Sequence, residues 1–197
     1  MFVIGVSKTI SNLRFEDAVE KISESNYGLH CLLIYPNLQT FRNFYKYYIK
    51  RQIAKKNEII LFNPFYETVG TVRQNLSMGH VQLDEFPYDS DVSLIIADSL
   101  NQYFGKVSTS EFTQRLVKYA IEKRKDGVTI IGDMGSYFFK LMNKELLDYE
   151  LSLPTQFNAP QKGLCIYNQL DFDNRLTEKQ KQFMVDHHGM AIKLESV

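Results

Sequence analysis

The chain has no tryptophan, only two cysteines and no basic leader ahead of its first apolar residues. It also lacks an internal repeat, a Gly/Ser-rich or Pro-rich linker, and a glycine-rich phosphate loop. Each absence narrows the field. Lys+Arg and Asp+Glu stand at 23 each, so there is no overall field to hold nucleic acid or an anionic membrane surface. No apolar run approaches the roughly 18 residues of a membrane-spanning helix. The opening MFVIGVSKTI is too short for the apolar region of a secretion signal. The expectation is a cytoplasmic protein that binds neither membrane nor nucleic acid. Cys31 and Cys165 sit in strand-like apolar runs, which suits reduced, buried thiols better than a disulfide framework. No CxxC or HxxxH spacing occurs, so neither a metal nor another cofactor is expected.

Hydrophobic residues make up 44% of the 197, enough to build one domain over residues 1–197 around a sizeable core. Phe15, Ala18, Val19 and Ile22 draw the apolar face of a short helix. Phe41, Phe44, Tyr45, Tyr48, Ile49 and Ile53 draw that of a longer one. Between and after them lie apolar runs that read as buried strands: HCLLIY, EIILFN, residues 92–99 (VSLIIADS), VTIIGD, GLCIYN and MAIKL. Ser108 with Glu111 has capping-box spacing at the start of a helix that Gly127 would stop, and Thr177 with Gln180 opens a final helix. Strands of continuous apolar type alternating with helices predict a three-layer α/β domain, its sheet mostly parallel and covered on both faces. Ligands of such sheets bind at the carboxyl ends of the strands. The mouth residues are then Tyr35, Asn63, Asp98, Asp133 and Asn168. Residues 78–90 are weakly patterned, as a loop over a site would be.

A nucleotide-hydrolysing loop needs glycines to cradle the phosphates, a lysine for the β/γ-phosphates and a Ser or Thr for Mg²⁺. The loop after the first long strand is Tyr35-Pro36-Asn37-Leu38-Gln39-Thr40, with no glycine and no lysine. It reads as a degenerate phosphate loop.

The segment GLHCLLIYPN, followed by an aromatic-rich helix and NEIILFNP, resembles the opening signature of the MEDS domain, the methanogen/methylotroph DcmR sensory domain. GLCIYNQLDFDNRL and DHHGMAI are similar to the later elements of that family, so the likeness runs over roughly residues 15–195. The order of elements also resembles a RecA/KaiC-like core. By position the characteristic residues fall on Gly28, His30, Tyr35, Cys165, Tyr167 and His188. Asn168 stands where the family shows Asp, and Gly189 where it shows Pro. The resemblance implies a sensory module that binds a small organic ligand and signals to a histidine kinase or a transcription regulator. This chain has no room for such an output, so it would act on a partner in trans, without catalysis.

The candidate ligand-binding set is therefore His30, Tyr35, Asp133, Cys165, Tyr167 and His188. Plainer explanations stand beside it. His30 suits a half-buried imidazole bonded to a backbone carbonyl. His187 and His188 suit a helix C-terminus, where the dipole favours a cation. Alternation along a strand puts His30 and Cys31 on opposite faces, so they cannot share one ion, whereas Cys31 and Cys165 could meet across neighbouring strands. Glu150 in LDYELSLP is placed near the next strand, buried, with no partner assigned. Two other functions stay open: a KaiC-like nucleotide-binding protein with a non-standard loop, and a scaffold that forms a homodimer through the aromatic helix over residues 40–55.

Overall fold

The continuous apolar runs do fold as strands buried from both sides. The computed structural model describes residues 8–55, 57–78 and 93–197. In chain order it contains β1 (Ser11–Leu13), α1 (Phe15–Glu24), β2 (His30–Tyr35), α2 (Leu38–Lys55), β3 (Glu58–Asn63), α3 (Val69–Met78), β4 (Leu94–Ile96), α4 (Ser99–Phe104) and α5 (Thr109–Glu122). It continues with β5 (Gly127–Asp133), α6 (Gly135–Phe139), α7 (Asn143–Ser152), β6 (Gln161–Asn168), α8 (Gln169–Arg175), α9 (Glu178–His187) and β7 (Met190–Leu194). The strands form one sheet in the order β1-β7-β2-β6-β5-β3-β4, and every pairing is parallel. This is a three-layer α/β architecture, consistent with a RecA-like arrangement.

The strand pleat decides which residues meet which helices. Cys31, Leu33 and Tyr35 of β2 pack with Phe41, Phe44, Tyr45 and Tyr48 of α2 and with the buried face of α1. Leu32 and Ile34 turn the other way, toward Phe138, Phe172, Met184 and Val185 of α6, α8 and α9. Near the far edge, Ile59, Leu61 and Val128 pack on Leu116, Val117 and Ala120 of α5. The aromatic stripe of α2 is thus consumed inside the first layer, leaving Tyr47 as its exposed ring.

Several boundaries differ from the expected ones. The run at 92–99 yields only the short edge strand β4, because Asp98 turns outward to cap α4, accepting from the Asn101 N–H at 2.9 Å. Asp98 is thereby spent on a helix end. Ser108 stands at the N-cap of α5 without a side-chain cap bond, and Glu111 pairs instead with Arg115 at 2.5 Å. Gly127 opens β5; the turn out of α5 is made by Arg124 at φ 56°. The expected loop at 78–90 lies, beyond the end of α3, outside the described residues.

The capping box of α9 forms as expected. The Thr177 hydroxyl accepts from Gln180 N–H at 3.3 Å, and Thr177 N–H donates to the Gln180 side chain at 2.8 Å. Thr177→Ala is expected to lower the unfolding free energy by about 1 kcal/mol. A urea titration would show it as a lower midpoint with an unchanged slope.

Candidate functional site

Register brings the first group of candidates together. His30 pairs with Gly163, Leu32 with Cys165 and Ile34 with Tyr167, so His30, Cys165 and Tyr167 point into the same helical layer. Cys31 pairs with Leu164 and faces the opposite layer, so the two thiols cannot meet. His188 arrives from the C-cap of α9, just before β7. Glu150 arrives from α7, where it shares the buried face with Leu146 one turn earlier. All of these side chains are buried.

The distances within this cluster are short. Cys165 Sγ lies 3.4 Å from His30 Nε2. Glu150 Oε2 lies 3.6 Å from His30 Nε2 and 3.4 Å from His188 Nε2. The two imidazoles lie with centroids 4.0 Å apart, tilted by 41° to each other. Tyr167 donates its hydroxyl to Glu150 Oε1. His188 Nδ1 lies 2.7 Å from the Met184 carbonyl. A carbonyl only accepts, so Nδ1 carries the proton and a neutral His188 offers a lone pair at Nε2. His30 Nδ1, Glu150 Oε2 and His188 Nε2 have no hydrogen-bond partner among the described residues.

Burial pulls His30 below its ordinary value, against the nearby Glu150 carboxylate, which favours the protonated ring. Burial would raise Glu150, but its close contacts with the imidazoles of His188 and His30 outweigh it and hold the carboxylate well below its usual range. Burial and the Glu150 charge together push the Cys165 thiol up. The cluster is therefore a buried carboxylate between two imidazoles, with a protonated thiol beside them.

A strap formed by residues 153–160 closes the amino end of the sheet over this cluster. Phe157 places its ring 5.2 Å from that of His30. His187 Nε2 lies 2.8 Å from the Leu153 carbonyl. The strap is pinned at Gly28, which donates to Gln161 O at 2.7 Å and accepts from Phe157 N–H at 2.9 Å. Gly28 has φ +97°, and a Cβ there would lie 2.8 Å from the Phe157 carbonyl oxygen. Glycine is required on both counts.

The other two candidates lie elsewhere. Tyr35 ends β2 on the α2 side of the sheet, stacked on Phe41 at 4.5 Å. Asp133 ends β5 in register with Ile166, whose side chain packs in the same layer as Tyr35. Its carboxylate accepts from the N–H groups of Gly135 at 3.0 Å and Phe65 at 3.4 Å. Burial pushes it up to about 7 in spite of those donors. The expected single site thus divides: His30, Cys165, Tyr167 and His188 meet, while Tyr35 and Asp133 stand across the sheet.

A cleft of about 530 Å³ opens on the same side as the buried cluster, over the carboxyl halves of β2 and β7. Its floor includes Ile34, Phe172 and Val185; Lys8, Lys181 and Lys193 stand on its rim beside Asp173 and Glu178, and Lys181 pairs with Glu178 at 2.7 Å. Phe172 packs edge-on against Tyr167 at 5.4 Å, and Lys8 Nζ donates to the His188 carbonyl at 2.7 Å. Floor and rim each touch a residue of the cluster.

At the loop after β2, Asn37 Oδ1 accepts from Thr40 N–H at 2.9 Å and so caps α2. Asn37 Nδ2 donates to Ser196 Oγ at 3.1 Å, and Val197 N–H donates to Thr40 Oγ1 at 3.3 Å. The helix end where a phosphate would sit is met by the chain itself.

Glu150 and the cleft residues are absent from the expected set. Glu150 carries a readable signal, a carboxylate on the apolar side of its helix; Phe172 and Val185 carry none that separates them from ordinary core. No family model matches the chain, and no curated protein or solved structure matches it either.

Proposed function

We propose that this chain is a sensory module: it takes a small organic molecule into the cleft over β2 and β7 and passes the event on to a partner protein, without turning the ligand over. The carrying observation is the cleft backed by the buried cluster. Its volume of about 530 Å³ falls within the roughly 300–1,000 Å³ of small-molecule pockets. An apolar floor with Lys193 at the rim suits a compact organic acid, since Lys181 is paired with Glu178 and Lys8 with backbone carbonyls. A ligand on Phe172 presses on Tyr167, and Tyr167 holds Glu150. That is a contiguous packed route from cleft to cluster.

Two features favour recognition over turnover. Cys165 and Glu150 both face the same nitrogen of His30, so no base and orienting group flank the imidazole as nucleophilic catalysis needs. The Asn37 cap and the Ser196 and Val197 contacts occupy the end of α2, which disfavours a nucleotide there. The role is the one implied by the resemblance to MEDS domains, in which a histidine kinase or transcription regulator receives the signal. Phe139 and Leu170, 71% and 68% exposed, supply apolar contact for such a partner.

The test is a thermal-shift screen of small organic acids, neutral analogues and ATP–Mg²⁺. At least one organic compound is expected to raise the melting temperature by several degrees, and Lys193→Ala should abolish that shift while leaving the unliganded melting temperature in place. Stabilisation by ATP–Mg²⁺ with phosphate release would overturn the reading.

A further inference from the structure

The buried cluster has the composition and the dimensions of a metal centre. One donor atom from each of His30, Glu150, Cys165 and His188 lies within 4.8 Å of every other. Three of the six donor-to-donor separations are 3.4 Å from Cys165 Sγ to His30 Nε2, 3.6 Å on to Glu150 Oε2 and 3.4 Å on to His188 Nε2. A tetrahedral zinc ion with bonds of about 2.0–2.3 Å has donor-to-donor edges of roughly 3.3–3.8 Å. All three separations fit those edges.

The unpartnered atoms point the same way. Glu150 Oε2 and His188 Nε2 are fully buried and make no hydrogen bond among the described residues, although buried polar atoms are almost always paired. They lie 3.4 Å apart, and with its Nδ1 proton spent on Met184 a neutral His188 turns a lone pair toward Oε2, so two acceptors face each other where a cation would satisfy both. His188 is also prepared as a ligand: its Nδ1 proton goes to the Met184 carbonyl, so Nε2 faces the centre with its lone pair. Tyr167 fixes Glu150 by bonding Oε1, which leaves Oε2 for the centre. On His30 the Nδ1 side has no such partner, and the ring is held by His188 and Phe157 instead.

We propose that His30, Glu150, Cys165 and His188 form a site for one divalent transition-metal ion, with zinc the best fit. Two imidazoles, a carboxylate and a thiolate make a borderline-soft donor set that suits zinc and disfavours calcium or magnesium, which take oxygen ligands. Charge balances. As the ion enters, Cys165 gives its thiol proton to solvent, and the two charges of the ion meet one thiolate and one carboxylate, so the filled site is neutral. The inference rests on the reading of this cluster as the binding centre behind the cleft, and it names what the cluster itself holds.

The experiment uses the full chain, stripped with a chelator under reducing conditions and reloaded with Zn²⁺ or Co²⁺. One equivalent per chain is expected. Co²⁺ should give the visible bands of four-coordinate cobalt and a near-ultraviolet thiolate charge-transfer band. Cys165→Ser should remove the charge-transfer band, and Cys31→Ser, on the opposite face of the sheet, should leave it intact. Glu150→Gln should weaken Zn²⁺ by about 100-fold or more, and Tyr167→Phe, which only positions Glu150, by about 10-fold. Folded wild-type chain, verified by circular dichroism, that retains neither ion overturns the proposal without recourse to any variant. So does a cobalt spectrum that Cys165→Ser leaves unchanged. If organic acids still raise the melting temperature of an ion-free chain, the metal site alone is wrong. If one ion binds while no compound shifts the melting temperature, the sensory reading fails and the metal site stands.

Discussion

Replacing Gly28 with alanine is expected to cost about 2–4 kcal/mol, the sum of a backbone angle that L side chains rarely adopt and a close contact with the strap. The contact is with the Phe157 carbonyl oxygen at 2.8 Å. That oxygen belongs to backbone fixed by the Phe157-to-Gly28 hydrogen bond, so it cannot swing aside as a flexible side chain would. The damage should be local first. The strap covers His30 and lies over the face that holds Cys165, while Cys31 is sealed under α1 and α2 on the other side. In Gly28→Ala, labelling of Cys165 by a thiol reagent should therefore accelerate by at least about 10-fold, since about 1.4 kcal/mol off a local opening is tenfold in its population. Labelling of Cys31 should lag behind. Equal acceleration of the two thiols would mean that the strap is not a separate unit, and an unchanged urea midpoint would mean that Gly28 is not strained by a side chain.

Asp133 should draw stability down between pH 4 and pH 8, against His30, whose lowered value gives a contribution of the opposite sign over the lower part of that range. Its carboxyl is pushed up to about 7, from an ordinary 3.8, chiefly by burial. The N–H groups of Gly135 and Phe65 oppose that shift, and the charge of Glu67 adds to it. A folded-state value above the unfolded one means that the native state holds its proton longer. The contribution is then complete below about pH 4 and is lost as pH rises through about 7. At pH 8 the cost of burying the charge is up to about 4 kcal/mol. Glu58, also raised by burial, adds to the fall with the same sign. Asp133→Asn keeps the acceptor for Gly135 and removes the charge, so it should be the more stable protein at pH 8 and nearly equal at pH 4. Urea titrations of both proteins across that range decide the matter. A variant whose stability follows pH with the same slope as the wild type would contradict it.

What the sequence makes legible here is local. Runs of Val, Ile and Leu between turn residues give β2, β3, β5 and β6 directly, and the 3.6-residue period gives α1 and α2. Alternation along β2 and β6 correctly separates His30 from Cys31 and groups Cys165 with Tyr167. Strand register is not local. That Leu32 rather than Cys31 lies opposite Cys165 depends on how two strands 130 residues apart slide into place, and no spacing within either strand encodes it. The cluster is hidden for the same reason: its four donors come from β2, α7, β6 and the end of α9, so no short motif joins them. Carboxyl-end reasoning reaches only part of the set. It collects Tyr35 and Asp133, but His30 is the first residue of its strand, and the strap at 153–160 rather than the strand tips encloses it. Asp98, which ends an apolar run just as Asp133 does, turns out to cap a helix; only the neighbouring chain distinguishes the two.

The most direct test of the central claim follows the ring resonances of His30 and His188 by NMR while the organic compound that raises the melting temperature is titrated in. The cleft touches the cluster through Phe172–Tyr167 and through Lys8 at the His188 carbonyl, so both imidazoles should shift in step with binding, and Lys193→Ala should remove the shift with the affinity. Imidazole signals that stay fixed while the compound saturates would contradict the account.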